Sequence, residues 1–238
     1  MRRLAVSPVV RRKPWFLGLA RRYVRRRLRS AFDGIHLEGL AAARATLERE
    51  PLIVASTHVA WWDALVAIEI DRLLGGETYA LMDAENLRRM PFFGWVGAIP
   101  LDRRSPKQGL RDLSAAATLL DRPGRVLWIF PQGRQRPAHL RPLELSPGVA
   151  WLAERSGARI LPLALNYLFR EAPVPALCAS FGEPIEGDEV LATLEARLSA
   201  GLARVDAFVD RQEGAFESVT EIAKDRGVPL MGRLLTRA

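Results

Sequence analysis

Two rhythms of apolar residues run along this chain. Short unbroken runs at Leu52 to Ala55, Val126 to Phe130 and Arg159 to Leu165 read as strands buried on both faces. Further short strands are expected at Ile35 to Glu38, Thr78 to Met82, Ala98 to Leu101 and Leu177 to Phe181. Between them the period lengthens to three or four. Val190, Leu194, Leu198, Leu202, Val205 and Val209 mark one face of a helix from Asp188 to about Arg211. Leu40 to Glu50 also reads as a helix. Ser105-Pro106, a cap and then a first-turn proline, opens one to about Asp121, and Ser146-Pro147 starts another that ends at Gly157. Asn86 to Trp95 is short, basic and aromatic, and Ala215 to Arg226 is expected to form a last helix. Strands alternating with helices predict an α/β fold with a mixed, largely parallel sheet covered by helices.

The first helix is of another kind. Pro14 can open it, and it runs to about Phe32 with an apolar stripe of Phe16, Ala20, Tyr23, Val24, Leu28, Ala31 and Phe32. The rest of its surface is almost wholly arginine. Residues 1–30 hold eleven Arg or Lys and no acid, leaving 24 basic against 27 acidic residues in the remainder. The net charge of +8 is therefore an N-terminal property. A basic amphipathic helix with Trp15 and Phe16 at its start suits a membrane interface. Packing of the stripe on its own domain is a second reading, and a nucleic-acid arm a third. No recognisable nucleic-acid module follows, so no nucleic-acid partner is expected. The only boundary drawn from sequence separates a docking segment, 1–32, from a domain, 33–238. Residues 1–13 are expected to be mobile.

At 238 residues and 49% apolar, the chain can bury a sizeable core. One cysteine, Cys178, excludes an intramolecular disulfide and a multi-cysteine zinc site. His36, His58 and His139 are widely separated and His36 reads as structural, so no metal is expected. No run approaches the ~18 apolar residues that span a bilayer.

Chemistry gathers where strands end. Leu52 to Ala55 runs out through Ser56 and Thr57 to His58, and a helix starting near Ala60 carries Asp63. An imidazole near its own pKa can take a proton from an alcohol, and a carboxylate on its other nitrogen fixes the tautomer. On a regular helix, residues five apart lie roughly 140° apart, so the two meet only if His58 precedes the helix. Three further pieces follow: Gly97 to Arg103, Phe130 to Arg136, and Ile160 to Leu163 with Pro162 inside it. Arg103 can offer a bidentate fork to a phosphate or carboxylate.

Together these blocks resemble the PlsC-type glycerolipid acyltransferases, the lysophospholipid acyltransferase superfamily. His58 to Asp63 matches H-x4-D, Gly97 to Arg103 matches G-x-I-x-x-x-R, Phe130 to Gly133 matches F-P-E-G in three positions of four, and Pro162 matches the proline of the fourth block. The resemblance implies a glycerol-3-phosphate acyltransferase-like fold and an O-acyltransferase. His58 would be the general base, oriented by Asp63. Gly97, Arg103, Gln132, Gly133, Arg134 and Arg136 would serve acceptor binding. It implies an acyl-CoA or acyl carrier protein co-substrate, no other cofactor, a lysolipid acceptor such as 1-acyl-sn-glycerol-3-phosphate, and a place at the cytoplasmic face of the membrane. No Ser or Cys nucleophile is needed, in keeping with the absence of a G-x-S-x-G elbow.

The departures bear on the acceptor. Gln132 stands for the family glutamate, Arg134-Gln135-Arg136 replace T-R-S, and Pro100 replaces a bulky apolar residue. Lysophosphatidate, held by Arg134 or Arg136, is one reading. A glycosylated lipid, carotenoid glycoside or amino-lipid is another, and a non-catalytic lipid-binding relative is a third.

Overall fold

In the computed structural model, which describes residues 11–186 and 189–221, every predicted strand is found. The chain begins with α1 (Pro14–Ala31), β1 (Gly34–Glu38), α2 (Leu40–Leu47) and β2 (Leu52–Ser56). It continues through α3 (Asp63–Leu74), β3 (Glu77–Asp83), α4 (Ala84–Arg89), α5 (Phe92–Val96) and β4 (Ala98–Leu101). Then come α6 (Pro106–Ala117), β5 (Arg125–Ile129), α7 (Gly148–Ser156), β6 (Arg159–Leu168), β7 (Ala176–Phe181), α8 (Val190–Arg211) and β8 (Glu217–Glu221).

One eight-stranded sheet orders these strands β4-β3-β5-β2-β6-β7-β1-β8. Strands β4, β3, β5, β2 and β6 are mutually parallel, so their C-terminal ends share one edge. β7 runs against β6, β1 lies parallel to β7, and β8 runs against β1. The fold is therefore α/β with a mixed, mostly parallel sheet.

The pleat divides the core. Leu52 and Val54 of β2, with Val126 and Trp128 of β5, face a cluster that takes in Val24, Leu28, Val66 and Ile70 from α1 and α3. Ile53, Ala55, Leu127 and Ile129 face the other cluster, with Ala116, Val149, Leu152, Leu194 and Leu198 from α6, α7 and α8. Successive side chains point to opposite faces, and both faces are covered, which is why these strands carry no polar alternation. Pro162 is tolerated inside β6 because its carbonyl takes the Gly182 N–H at 2.9 Å just past the end of β7. Its missing N–H thus falls where that ladder finishes.

Several expectations change. Glu217–Glu221 is a strand rather than the start of a helix, and residues beyond 221 lie outside those described. The segment holds the β-branched pair Val219-Thr220 and lies along the edge of β1, which supplies the backbone partners. Asn86 to Trp95 splits into α4 and α5 around Met90-Pro91, and α6 ends at Ala117 rather than Asp121. α3 starts at Asp63, three residues later than expected, because a turn through Ala60 precedes it. The readings on residues 1–10 lie outside the described residues.

Helix α1 settles what becomes of its apolar stripe. Val24, Leu28 and Phe32 lie in the core cluster shared with α3. Arg21 pairs with buried Asp71 of α3 at 2.8 Å, and Arg25 with buried Glu69 at 3.6 Å. A second apolar row, Trp15, Leu19 and Tyr23, stands 63%, 58% and 60% exposed at i, i+4, i+8 spacing. Tyr23, assigned to the stripe by its spacing, belongs to this outer row.

Candidate active site

The site is built where the parallel strands end. β2 ends at Ser56, and Thr57 and His58 follow directly. Thr57 holds this exit to β6: its N–H donates to Leu163 O at 3.1 Å, its hydroxyl to Leu165 O at 3.0 Å, and it accepts the Leu165 N–H at 2.8 Å. His58 therefore precedes α3, as the meeting of the two side chains requires. Its Nδ1 lies 2.6 Å from Asp63 Oδ2. The same oxygen accepts the N–H groups of Val59 at 2.6 Å and Ala60 at 3.0 Å. Asp63, the first residue of α3, closes the turn with its own carboxylate.

Asp63 is 0% exposed, whereas the His58 side chain is 23% exposed. A carboxylate only accepts hydrogen bonds. The proton between them therefore sits on Nδ1, and the lone pair is left on Nε2. The imidazole lies against the Phe130 ring at 4.6 Å, nearly parallel to it.

The loop after β5 closes around His58. Gln132, itself buried, accepts the His58 N–H on Oε1 at 2.6 Å, and the Arg136 N–H donates to His58 O at 2.8 Å. Gly133 turns back with its N–H on Phe130 O at 2.9 Å and a φ of 65°. The Arg103 guanidinium, arriving from the end of β4, donates to Gly133 O. The left-handed conformation favours glycine at 133, and a Cβ there would stand 2.6 Å from Arg103 Nη2, so the guanidinium would have to shift. His58, Asp63, Arg103, Gln132 and Gly133 are thus joined by direct contacts.

The other candidates are placed differently. Arg134 and Arg136 share one carboxylate, Glu144, at 2.7 and 3.1 Å, and buried Arg136 also donates to Pro142 O at 3.1 Å. They brace the loop that holds His58. Gly97 lies before β4, at the opposite end of that strand from Arg103. Its backbone packs so closely that a Cβ would meet Thr78 O at 2.6 Å. Cys178 is buried in β7, and burial pushes its thiol up to about 12. Among the described residues no group of three His, Cys, Asp or Glu could hold a metal.

One contact had no counterpart in the motifs. The Tyr167 hydroxyl, near the end of β6, donates to Asp63 Oδ1 at 2.7 Å. Burial first, then the Asp63 charge, hold this phenol far above its ordinary range, so it stays a donor. The sequence offers one weak hint: Asn166 and Tyr167 end an otherwise apolar run.

An imidazole, a buried carboxylate bonded to it and a nearby guanidinium thus stand together at the C-terminal edge of the parallel strands of an α/β sheet. Residues 34–166 match the family model described as Acyltransferase. The chain belongs to the acyltransferase family. It is similar to the 1-acyl-sn-glycerol-3-phosphate acyltransferase of Pseudomonas aeruginosa, 29% identical over 126 residues, which are 50% of this chain and 46% of that protein. The chain spans about half the length of that curated relative.

Proposed function

We propose that this acyltransferase moves a fatty acyl group from a thioester, acyl-CoA or acyl carrier protein, to the hydroxyl of a lysophospholipid, 1-acyl-sn-glycerol-3-phosphate fitting best. The observation that carries this reading is the 2.6 Å His58–Asp63 contact, with His58 partly exposed and Arg103 held on the same loop. His58 Nε2 takes the acceptor's hydroxyl proton as its oxygen attacks the thioester carbonyl. The tetrahedral intermediate breaks its C–S bond, and the imidazolium returns the proton to the departing thiolate. Asp63 keeps the imidazole in the required tautomer and stabilises the imidazolium. The exposed Arg103 is the cation best placed for the acceptor's phosphate, since Arg134 and Arg136 are already paired with Glu144.

The name of the Pseudomonas aeruginosa relative supports a phosphate-bearing acceptor. A second reading, a non-phosphate acceptor, rests on the departure from the family pattern at Gln132. Membrane docking through the N-terminal segment is supported by the exposed row Trp15, Leu19 and Tyr23 beside exposed Arg22 and Arg26. No described helix is long and apolar enough to cross a membrane. We place the protein peripherally, at the cytoplasmic face of the membrane.

The test is thiol release from acyl-CoA and from acyl carrier protein against a panel of lysolipids, glycolipids and amino-lipids. Turnover is expected with 1-acyl-sn-glycerol-3-phosphate, falling about 10²–10⁴-fold in His58→Ala. If no acceptor on the panel gives His58-dependent release with either donor, the reading fails. Turnover with a glycolipid or amino-lipid alone replaces the acceptor and keeps the mechanism.

A further inference from the structure

Asp63 divides its two oxygens between different partners. Oδ2 serves His58 and the Val59 and Ala60 amides, whereas Oδ1 is held by Tyr167 at 2.7 Å. Without that phenol, a lone oxygen of a fully buried carboxylate would have no donor, and the carboxylate plane would lose its second point of attachment. The Tyr167 ring is itself fixed. Phe32, the residue that ends α1, stacks on it at 5.3 Å with 27° between the planes. Phe32 also meets Trp62, the residue before Asp63, edge-on at 5.1 Å. The buried ring at the end of the N-terminal helix therefore wedges between the residue bonded to Asp63 and the residue that precedes it.

We propose that Tyr167 is a positioning residue for acyl transfer, that it acts by fixing the Asp63 carboxylate under His58, and that Phe32 holds it there. The inference rests on the reading of His58 and Asp63 as base and orienting acid. It makes helix α1 part of the catalytic apparatus, whatever surface its outer face meets. Asp63 keeps three donors when Tyr167 is changed, so the expected loss is partial. Tyr167→Phe retains the stacking ring and removes only the hydroxyl.

The experiment is a double-mutant cycle on the full chain, with acyl-CoA and 1-acyl-sn-glycerol-3-phosphate as probes. Tyr167→Phe should lower kcat about tenfold, the loss expected for a hydrogen bond to a charged group, with both KM values within about twofold of wild type. In an Asp63→Asn background the same change should cost less than about twofold, because the group it acts through is gone. Phe32→Leu should lower kcat in the wild type but add nothing to Tyr167→Phe. The downfield proton resonance of His58 Nδ1–H, read without any substrate, should move in Tyr167→Phe and stay in place in Leu19→Ser on the outer face of α1.

Wild-type kcat together with an unmoved resonance in Tyr167→Phe overturns the inference. So does an equal loss in both Asp63 backgrounds, which would mark a merely structural role. Should Tyr167→Phe fail to fold, Phe32→Leu carries the cycle with Asp63→Asn, with the same two criteria. A fully active His58→Ala would defeat the catalytic reading itself. An inactive His58→Ala beside a wild-type Tyr167→Phe defeats only this inference.

Discussion

Glutamine at position 132 does two things that the family glutamate could not do together. Its Oε1 accepts the His58 N–H, while its amide nitrogen keeps two protons to donate. The exchange from carboxylate to amide, which in the sequence is only a lost charge, thus leaves the contact to the base's backbone in place. Gln132→Leu should destabilise the protein by about 1 kcal/mol, the cost of leaving the half-buried His58 N–H without its acceptor, as measured by urea unfolding. Gln132→Glu keeps an acceptor and should cost less than half as much. Equal losses in the two variants would show that the Oε1 contact contributes nothing. At this scale the four blocks of the sequence singled out His58, Asp63 and Arg103 as candidates, and the turn before α3 brings the first two, five residues apart, into contact. It could not identify Tyr167 as a partner of Asp63, since 104 residues separate them. Nor could it show that Glu144 engages both Arg134 and Arg136.

Among the elements, α1 resolves an ambiguity that periodicity leaves open. Its inner row is core and its outer row is exposed, so both readings of the helix describe part of it. Removing residues 1–32 would take Val24, Leu28 and Phe32 from the core, and would not report on docking alone. The α1–α3 seam also carries a pH-sensitive group. Burial raises the Asp71 carboxyl from its ordinary 3.8 to about 6, with Arg21 pulling it back down. Between those values the folded state holds the extra proton, so this group's contribution to stability falls as pH rises from about 4 to about 6. Asp71→Asn should remove that fall. The difference between variant and wild type across the window should be on the order of 3 kcal/mol, from urea unfolding at each pH. A difference curve that is flat from pH 4 to 7 would contradict it. Leu28→Ala, fully buried in the same seam, should cost about 2–5 kcal/mol in the same assay.

Across the whole molecule, charge and apolar exposure combine on one segment. The +8 net charge is concentrated in residues 1–30, and the outer row of α1 exposes Trp15, Leu19 and Tyr23. Replacing these three by Ser should weaken binding to vesicles containing anionic lipid at least tenfold in a sedimentation assay, with an unchanged thermal midpoint. Wild-type binding should also weaken as salt rises, because surface charges are screened over about a Debye length. Unaltered vesicle binding by the triple variant would remove α1 from the docking surface.

The strands, the α/β class and the four blocks were legible because buried parallel strands are uniformly apolar and the motif spacings are local. The last segment was misread because β8 depends on the edge of β1, a partner 180 or more residues away in the chain that no local pattern encodes. By itself, the sequence determined which side chains could do the chemistry and which strands carry them. Only the tertiary structure decided that five parallel strands end at one edge, that the loop after β5 grips His58 at both its N–H and its carbonyl, and that Tyr167 completes the shell of Asp63. Burial and hydrogen-bond partnership are properties of pairs brought together by the fold, and residues far apart in a chain do not announce their partners.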